Sequence, residues 1–435
     1  MLTLLAYGMI IAFMALIMSG RATALIALIT VPILFALLGG FGPEIGPMVM
    51  SGLRAIAPTG VLLMFAILYF GLMIDVGLFD PLIRAIVRVC QGDPMRVIVG
   101  STLLVLLVSL DGDGSTTYLL CLTAMLPLHR QLGINPLILP CLAMLSNSIM
   151  NISPWGGPTA RVMSALHLDA SQVFLPLIPG MIAASAVTLI IAWWFGRRER
   201  ARLKTIQWRD AAPVMEPPLG GNVQLSSHPR SKPLMIFNLV LTCALMVGLV
   251  AGVLPLPLLF MGAFAIAISV NFPSLQDQKE RMAAHSASVV AVVSVIFAAG
   301  IFTGILSGTK MTDAIAQSVI GIIPESAGNF LPLITALLSA PMTFFLSNDA
   351  FYFGVVPILA EAGKAYGIAP EIIARASLLG QPVHQLSPLV AANYVLIGIA
   401  GVEFGAHQRF TWKWAVLLAL VMIVVAGLIG VVPLY

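Results

Sequence analysis

The sequence predicts an all-α polytopic membrane protein made of two inverted repeats of five spans, each carrying a re-entrant hairpin and a broken helix. Three observations lead to that class. The chain is 59% hydrophobic and 9% charged, with a mean hydropathy of +1.02, whereas a soluble domain carries about 25% charged residues. Apolar runs of bilayer-spanning length recur along it. A single offset of 234 positions lays most elements of the first half onto the second.

The first half opens with spans at 2–19, 22–40 and 55–74. Met1–Ser19 has no basic leading segment and runs into the next apolar stretch, so it reads as a span and not as a removable signal. Asp80–Cys90, with Arg84 and Arg88 four apart, reads as a short amphipathic helix on the membrane surface. Residues 95–130 form the first hairpin, with Leu110-Asp111-Gly112-Asp113-Gly114-Ser115-Thr116-Thr117-Tyr118 at its tip. Lipid solvates neither ionised carboxylates nor irregular backbone, so this tip must lie against protein or a water-filled cavity. The broken helix 136–166 is interrupted over Asn147–Arg161. There Pro154 and Pro158 remove backbone donors and clash with the preceding turn, while Gly156-Gly157 adds freedom. A span at 173–195 closes the half.

Residues 197–233, opening Arg-Arg-Glu-Arg-Ala-Arg, are the one hydrophilic connection of any size. They read as a cytoplasmic linker between repeat 1 (1–196) and repeat 2 (234–435). The second half then gives spans at 234–254, 256–271 and 288–306, an amphipathic counterpart at 311–323 and a second hairpin at 329–364. The tip of that hairpin is Leu346-Ser347-Asn348-Asp349; a broken helix at 370–401, interrupted over Gln381–Pro388, and a last span at 412–433 follow it. At the common offset Gly133-Ile134-Asn135-Pro136 falls on Gly367-Ile368-Ala369-Pro370, and Ser153-Pro154 on Ser387-Pro388.

Five crossings is an odd number, so the second repeat inserts upside down. Placing the linker in the cytoplasm puts Arg21, Arg84, Arg88, Arg96, Arg130, Lys279, Arg281, Arg409 and Lys413 there as well. The opposite side receives Arg54, Lys310, Lys364 and Arg375. This is the positive-inside asymmetry, and it puts both termini outside. The four cysteines, Cys90, Cys121, Cys141 and Cys243, form no paired metal-binding motif and read as packing. The net charge of +4 gives no reason to expect a nucleic-acid partner.

Chemistry is expected at the four polar islands. In an inverted repeat with broken helices, cargo and coupling ion meet near the midplane, where half-helix ends point at them. The helix restarting near Thr159 offers free backbone N–H groups to an anion, and Arg161 adds a planar, permanent charge suited to a carboxylate. The plainer reading of Arg161 is an ion pair with an acidic residue such as Asp113. His384, in the second interruption, is a donor or proton carrier, or a satisfied structural histidine. Asp111, Asp113 and Asp349 supply negative charge for protons or a hard cation, although Asp113 can equally cap the second arm of its hairpin. An EF-hand is excluded, because the loop has Thr116 where glycine is needed and Leu122 where glutamate is needed. Arg161 with half-helix N-termini wants an anion, and three carboxylates want cations, so a polycarboxylate travelling with cations satisfies both.

The stretches Ser109–Thr117, Asn151–Arg161, Ser347–Gly354 and Gly380–His384 resemble the bacterial citrate–metal:proton symporters (CitMHS) of the ion transporter superfamily, over nearly the whole chain. The resemblance implies no enzymatic activity and no cofactor. It implies uptake of citrate or a related tricarboxylate, complexed with a divalent cation such as Mg²⁺ or Ca²⁺ and driven by protons, across the bacterial inner membrane. It also implies a homodimer of scaffold domains, each with a mobile, elevator-type transport domain holding both hairpins. Candidate cargo-binding residues are Ser115, Thr116, Thr117, Asn151, Ser153, Gly156, Gly157, Thr159, Arg161, Asn348, His384 and Ser387. Asp111, Asp113 and Asp349 are the candidates for metal or proton coupling. Aspartate in both tips departs from the Ser-Asn-Thr triplets of sodium-coupled relatives, which leaves sodium-coupled di- or tricarboxylate transport as the alternative. An intramembrane aspartyl protease using Asp113 and Asp349 would leave the repeat, the hairpins and Arg161 unexplained. A passive anion channel would differ in failing to accumulate cargo against a gradient.

Overall fold

The computed structural model describes residues 2–19, 21–90, 92–203, 232–251, 254–320 and 328–433. Residues 204–231, the greater part of the expected linker, and 321–323 of the expected 311–323 helix lie outside the described residues. The described chain is helical, with no strand. Among the described residues six helices are long and apolar enough to cross a membrane, and six further apolar helices are shorter.

The first half runs α1 (Leu2–Met18), α2 (Ala24–Leu38), α3 (Ile45–Asp75), α4 (Asp80–Cys90), α5 (Pro94–Val108), α6 (Gly114–Gln131), α7 (Ile138–Met150), α8 (Gly157–Leu166), the single turn α9 (Ala170–Val173) and α10 (Ile178–Arg202). The second half runs α11 (Lys232–Ala251), α12 (Leu256–Asn271), α13 (Leu275–Gly308), α14 (Met311–Ile320), α15 (Leu331–Phe345), α16 (Val356–Lys364), α17 (Pro370–Leu378), the turn α18 (Gln381–His384), α19 (Ala391–Ala400) and α20 (Phe404–Leu428). Helices α3 and α13 overrun the apolar runs 55–74 and 288–306: α3 carries Gly52 and Pro58 inside it, and the polar stretch Gln276–Ala287 ahead of the second run holds no glycine or proline to stop α13. Similarly α10 does not stop at 196 but continues to Arg202.

Polar side chains fix the helix ends. Asp93 caps α5 by accepting the Met95 amide at 3.1 Å, with Pro94 in the first turn where its missing N–H costs nothing. The same carboxylate receives the Arg200 guanidinium, tying the start of α5 to the end of α10. On the same last turn of α10, Glu199 accepts the Asn135 amide at 3.1 Å and Arg202 donates to the Gly133 carbonyl at 2.6 Å, pinning the loop between α6 and α7.

Helices α3 and α13 approach with backbone against backbone. A Cβ on Gly52 would lie 1.9 Å from the Gly300 carbonyl oxygen, and one on Gly304 would lie 2.5 Å from that of Met48. In lipid, where apolar side chains gain little by leaving the solvent, such small-residue contacts are a main source of helix association. Gly52→Leu should therefore separate α3 from α13 and abolish the monodisperse, detergent-solubilised protein, as size-exclusion chromatography would read. Beside this pair, Asn238 and Asn271 exchange side-chain hydrogen bonds of 2.9 and 2.8 Å between α11 and α12. Tyr69 of α3 and Thr242 of α11 share one of 2.8 Å.

The outward surface is apolar, with Ile11, Leu34, Ile190, Val247 and Val424 all exposed, as a lipid-facing surface requires. At one end of α10 and α20, Arg197 and Arg198 lie over Trp193 and Trp194, and Lys413 over Trp414. Such a belt of aromatic and basic side chains marks a membrane–water interface.

Candidate functional site

The first tip is a tight reversal. Helix α5 ends in a 3-10 turn at Ser109–Asp111, Gly112 takes the left-handed conformation with φ 79°, and α6 starts at Gly114. The reversal has no room for a side chain at 112, since a Cβ there would sit 2.8 Å from Cδ1 of Trp155. Asp113 caps α6, accepting the amides of Ser115 at 3.1 Å and Thr116 at 3.2 Å and also the Thr116 hydroxyl. Asp113 is exposed, but both its oxygens are engaged in this cap. Asp111 is buried: one carboxylate oxygen accepts the Asp113 amide at 3.0 Å and the Thr117 hydroxyl at 3.1 Å, and the other has no partner among the described residues. Asp113→Ala should lower thermal stability by about 1 kcal/mol through the lost cap, whereas Asp113→Asn, which keeps an acceptor oxygen, should lose less; a melting series on the two variants would check the order.

The first interruption wraps against that tip. Trp155 donates its indole N–H to the Leu110 carbonyl at 2.8 Å and packs its ring against Phe70 and Phe260, at 5.3 and 5.0 Å between centroids. Between α7 and α8 the chain turns so closely that a Cβ on Gly156 would fall 1.9 Å from the Asn151 carbonyl oxygen. Thr159 donates to the Ile152 carbonyl at 2.7 Å and closes the turn. Ser153 is buried and its hydroxyl has no partner among the described residues. Helix α8 starts at Gly157, slightly before the expected restart at Thr159, and Arg161 lies in its second turn.

The second tip brings the charges together. After α15 the chain is extended at Leu346, the Ser347 hydroxyl accepts the Ala350 amide at 3.2 Å, and a π-helical stretch at Ala350–Val355 leads into α16. Arg161 donates its Nε–H to the Asp349 carboxylate at 2.6 Å and an Nη1–H to the Gly157 carbonyl at 3.0 Å. The acidic partner of Arg161 is thus Asp349, and not Asp113, whose oxygens already hold the start of α6. The Asn348 side-chain oxygen is buried without a partner among the described residues.

In the second interruption, His384 donates Nδ1–H to the Thr343 carbonyl at 2.6 Å and Ser387 donates to the Phe344 carbonyl at 2.7 Å. Both bonds tie the interruption to the end of the hairpin arm α15. Each tip therefore touches the restarted helix of the opposite half. The start of α6 reaches α19, where a Cβ on Gly114 would lie 3.2 Å from that of Ala392, and the second tip reaches α8 through Arg161.

Further buried polar groups stand around these islands. Asn147 accepts from Tyr118 at 3.5 Å and keeps its NH₂ unpartnered among the described residues. Gln381 donates to the Tyr352 hydroxyl at 2.6 Å, and Asn393 donates to the Gln385 and Ser387 carbonyls at 2.5 and 3.2 Å. Asn147 and Gln381 open the two interruptions expected from the sequence, and Asn393, a carboxamide in an otherwise apolar stretch, is the one the sequence reading missed. A cleft of about 580 Å³ opens beside the first interruption, lined in part by Pro58, Pro154, Met163, Phe174 and Leu256. Among the described residues no group of three His, Cys, Asp or Glu side chains stands ready to hold a metal ion.

Paired tips, interrupted helices and a lipid-facing surface define a class, that of multi-pass membrane transporters. The fold agrees: the chain is similar to the Alcanivorax borkumensis YdaH transporter, with a TM-score of 0.56 at 14% identity over 90% of this chain and 89% of that one. It is also similar to Neisseria gonorrhoeae MtrF, described as illuminating a class of antimetabolite efflux pumps, with a TM-score of 0.60 at 16% identity over 89% and 84%. Within that class the chain belongs to the citrate transporter family CitMHS, which matches residues 9–380. Two Bacillus subtilis relatives bear this out: a citrate transporter, 55% identical over 99% of this chain and all of that one, and a Mg²⁺/citrate complex secondary transporter, 47% identical over the full length of both. These are transporters and not enzymes, and so is this chain.

Proposed function

We propose that the protein imports citrate as its complex with a divalent cation such as Mg²⁺ or Ca²⁺, in symport with protons, across the bacterial cytoplasmic membrane. The observation that carries this reading is the Arg161–Asp349 pair, a cation and a carboxylate facing each other where the second tip meets α8. A complex of metal and polycarboxylate presents the complement of each, a carboxylate for the guanidinium and a cation for the carboxylate. The relative described as a Mg²⁺/citrate complex transporter supports the choice of cargo. Asp111, with one buried oxygen unpartnered among the described residues, is the candidate proton carrier. Ser115, Asn151, Ser153, Asn348, His384 and Ser387 are the further candidates for contact with the cargo.

The same reading takes the two halves as inverted repeats moving cargo by an elevator motion within a homodimer, with both termini outside. The order of elements supports the repeat. Helices α8 and α19 start at the same offset and have ten residues each. Left-handed Gly133 and Gly367 stand at that offset, and so do His167 and Gly401, which end those two helices. The test is citrate uptake into proteoliposomes, with the pH gradient and Mg²⁺, Ca²⁺, Ni²⁺ or Na⁺ varied separately. Uptake should need a divalent cation and an inwardly directed proton gradient. Uptake that a sodium gradient drives equally well without divalent cation would speak for the sodium-coupled alternative.

A further inference from the structure

The geometry points to an exchange of partners as the basis of cargo selection: Asp349 passes from Arg161 to the metal ion while Arg161 passes from Asp349 to a citrate carboxylate, so the pair opens only for cation and anion together. This deepens the function proposed above and rests on it.

The three aspartates are not equivalent. Asp113 has both oxygens committed to the cap of α6, and Asp111 is buried under the first tip. Among the described residues Asp349 has Arg161 as its side-chain partner, through one oxygen, which leaves the other for a ligand. Side-chain exposures of 18% for Asp349 and 22% for Arg161 leave both within reach of cargo. Next to Asp349 the buried, unpartnered oxygen of Asn348 offers a further hard donor, of the type that Mg²⁺ and Ca²⁺ accept. On the other side of the pair, the second turn of α8 carries Arg161 beside a helix N-terminus, where an anion is favoured.

Charge then decides what can bind. Free citrate would have to displace a carboxylate already held at 2.6 Å from Arg161, and it would strand Asp349 without a counter-charge. An unpaired ion in a largely desolvated site is strongly unfavourable. A free metal ion would strand Arg161 in the same way. The complex supplies both counter-charges at once, so each side chain exchanges one partner for another. In the empty site the two side chains neutralise each other, which lets the unloaded carrier reset without carrying a bare charge through the bilayer.

The test is calorimetric titration of the purified full-length protein with citrate in chelator, with Mg²⁺ alone, and with preformed Mg²⁺–citrate. The wild type should prefer the complex over free citrate by about 10- to 100-fold, the worth of one charged hydrogen-bonding partner. Asp349→Asn frees Arg161 while removing the metal ligand, so free citrate should bind at least as tightly as the complex. Asp349→Glu, which keeps the carboxylate, should retain the preference and shows that the position tolerates change. An unchanged ratio in Asp349→Asn, whatever happens to both affinities, would overturn the exchange and leave the pair as a structural tie. So would a wild type that binds free citrate as well as the complex. A wild type that binds neither citrate species would instead remove the proposed function itself.

Discussion

Arg161→Ala is expected to weaken citrate binding by at least about 10-fold, since a hydrogen bond to a charged group is worth about 1.5–3 kcal/mol, and to abolish uptake. Among the described residues of the tips and interruptions Arg161 is the one lysine or arginine, so none of these segments offers a second cation to the carboxylate. The loss should be functional before it is structural, because α8 is also held by the Thr159 bond to Ile152 and by the Trp155 ring in its aromatic cluster. Asp349 would be left without its partner, and the double variant Arg161→Ala/Asp349→Asn removes that liability. It should melt closer to the wild type than the single variant while transporting no better. Arg161→Lys should fall between wild type and alanine, since an ammonium keeps the charge but not the planar fork. Binding titrations beside melting curves would separate these effects, and wild-type affinity in Arg161→Ala would take the residue out of the site.

Gly156→Ala is expected to be as damaging, for a steric reason. The added Cβ would lie 1.9 Å from the Asn151 carbonyl oxygen and 2.7 Å from its carbonyl carbon. These are backbone atoms, so no rotamer change relieves the clash and the turn between α7 and α8 must open. Opening it shifts the start of α8 and, with it, Arg161 relative to Asp349. A displacement of about 1 Å in a positioned group can cost about 100-fold in activity. Gly156→Ala should therefore lose citrate uptake by at least that factor. Gly157→Ala should be milder, because its Cβ would meet Nη1 of Arg161 at 2.9 Å, the far end of a flexible side chain. Equal uptake by Gly156→Ala and the wild type would show that the close turn does not set the site.

Much of this architecture is legible before any coordinates. Carboxylates, glycines and prolines inside apolar sequence have few places to go in a bilayer, so Asp111–Thr117, Asn147–Arg161, Ser347–Asp349 and Gln381–Pro388 announce themselves as tips and interruptions. Helix ends were less legible, and α3 and α13 overran the apolar runs because helix propensity does not stop where hydrophobicity does. Partners were least legible. Arg161 and Asp349 are 188 residues apart, and only the packing of α8 against the second tip brings them together. Asp113 could be read as coupling group or helix cap, and its geometry is that of a cap. The π-helical stretch at Ala350–Val355 has no signature in composition or periodicity.

The central claim is that cargo is held between Arg161 and Asp349, metal on one side and carboxylate on the other. An experimental structure of the protein saturated with Mn²⁺–citrate, with Mn²⁺ located by its anomalous scattering, tests it most directly. The expected result is a metal peak at coordination distance from the Asp349 carboxylate, a citrate carboxylate on the Arg161 guanidinium, and the bond between the two side chains broken. A metal peak elsewhere, for instance in the cleft beside Pro58 and Phe174, with Arg161 still on Asp349, would contradict it.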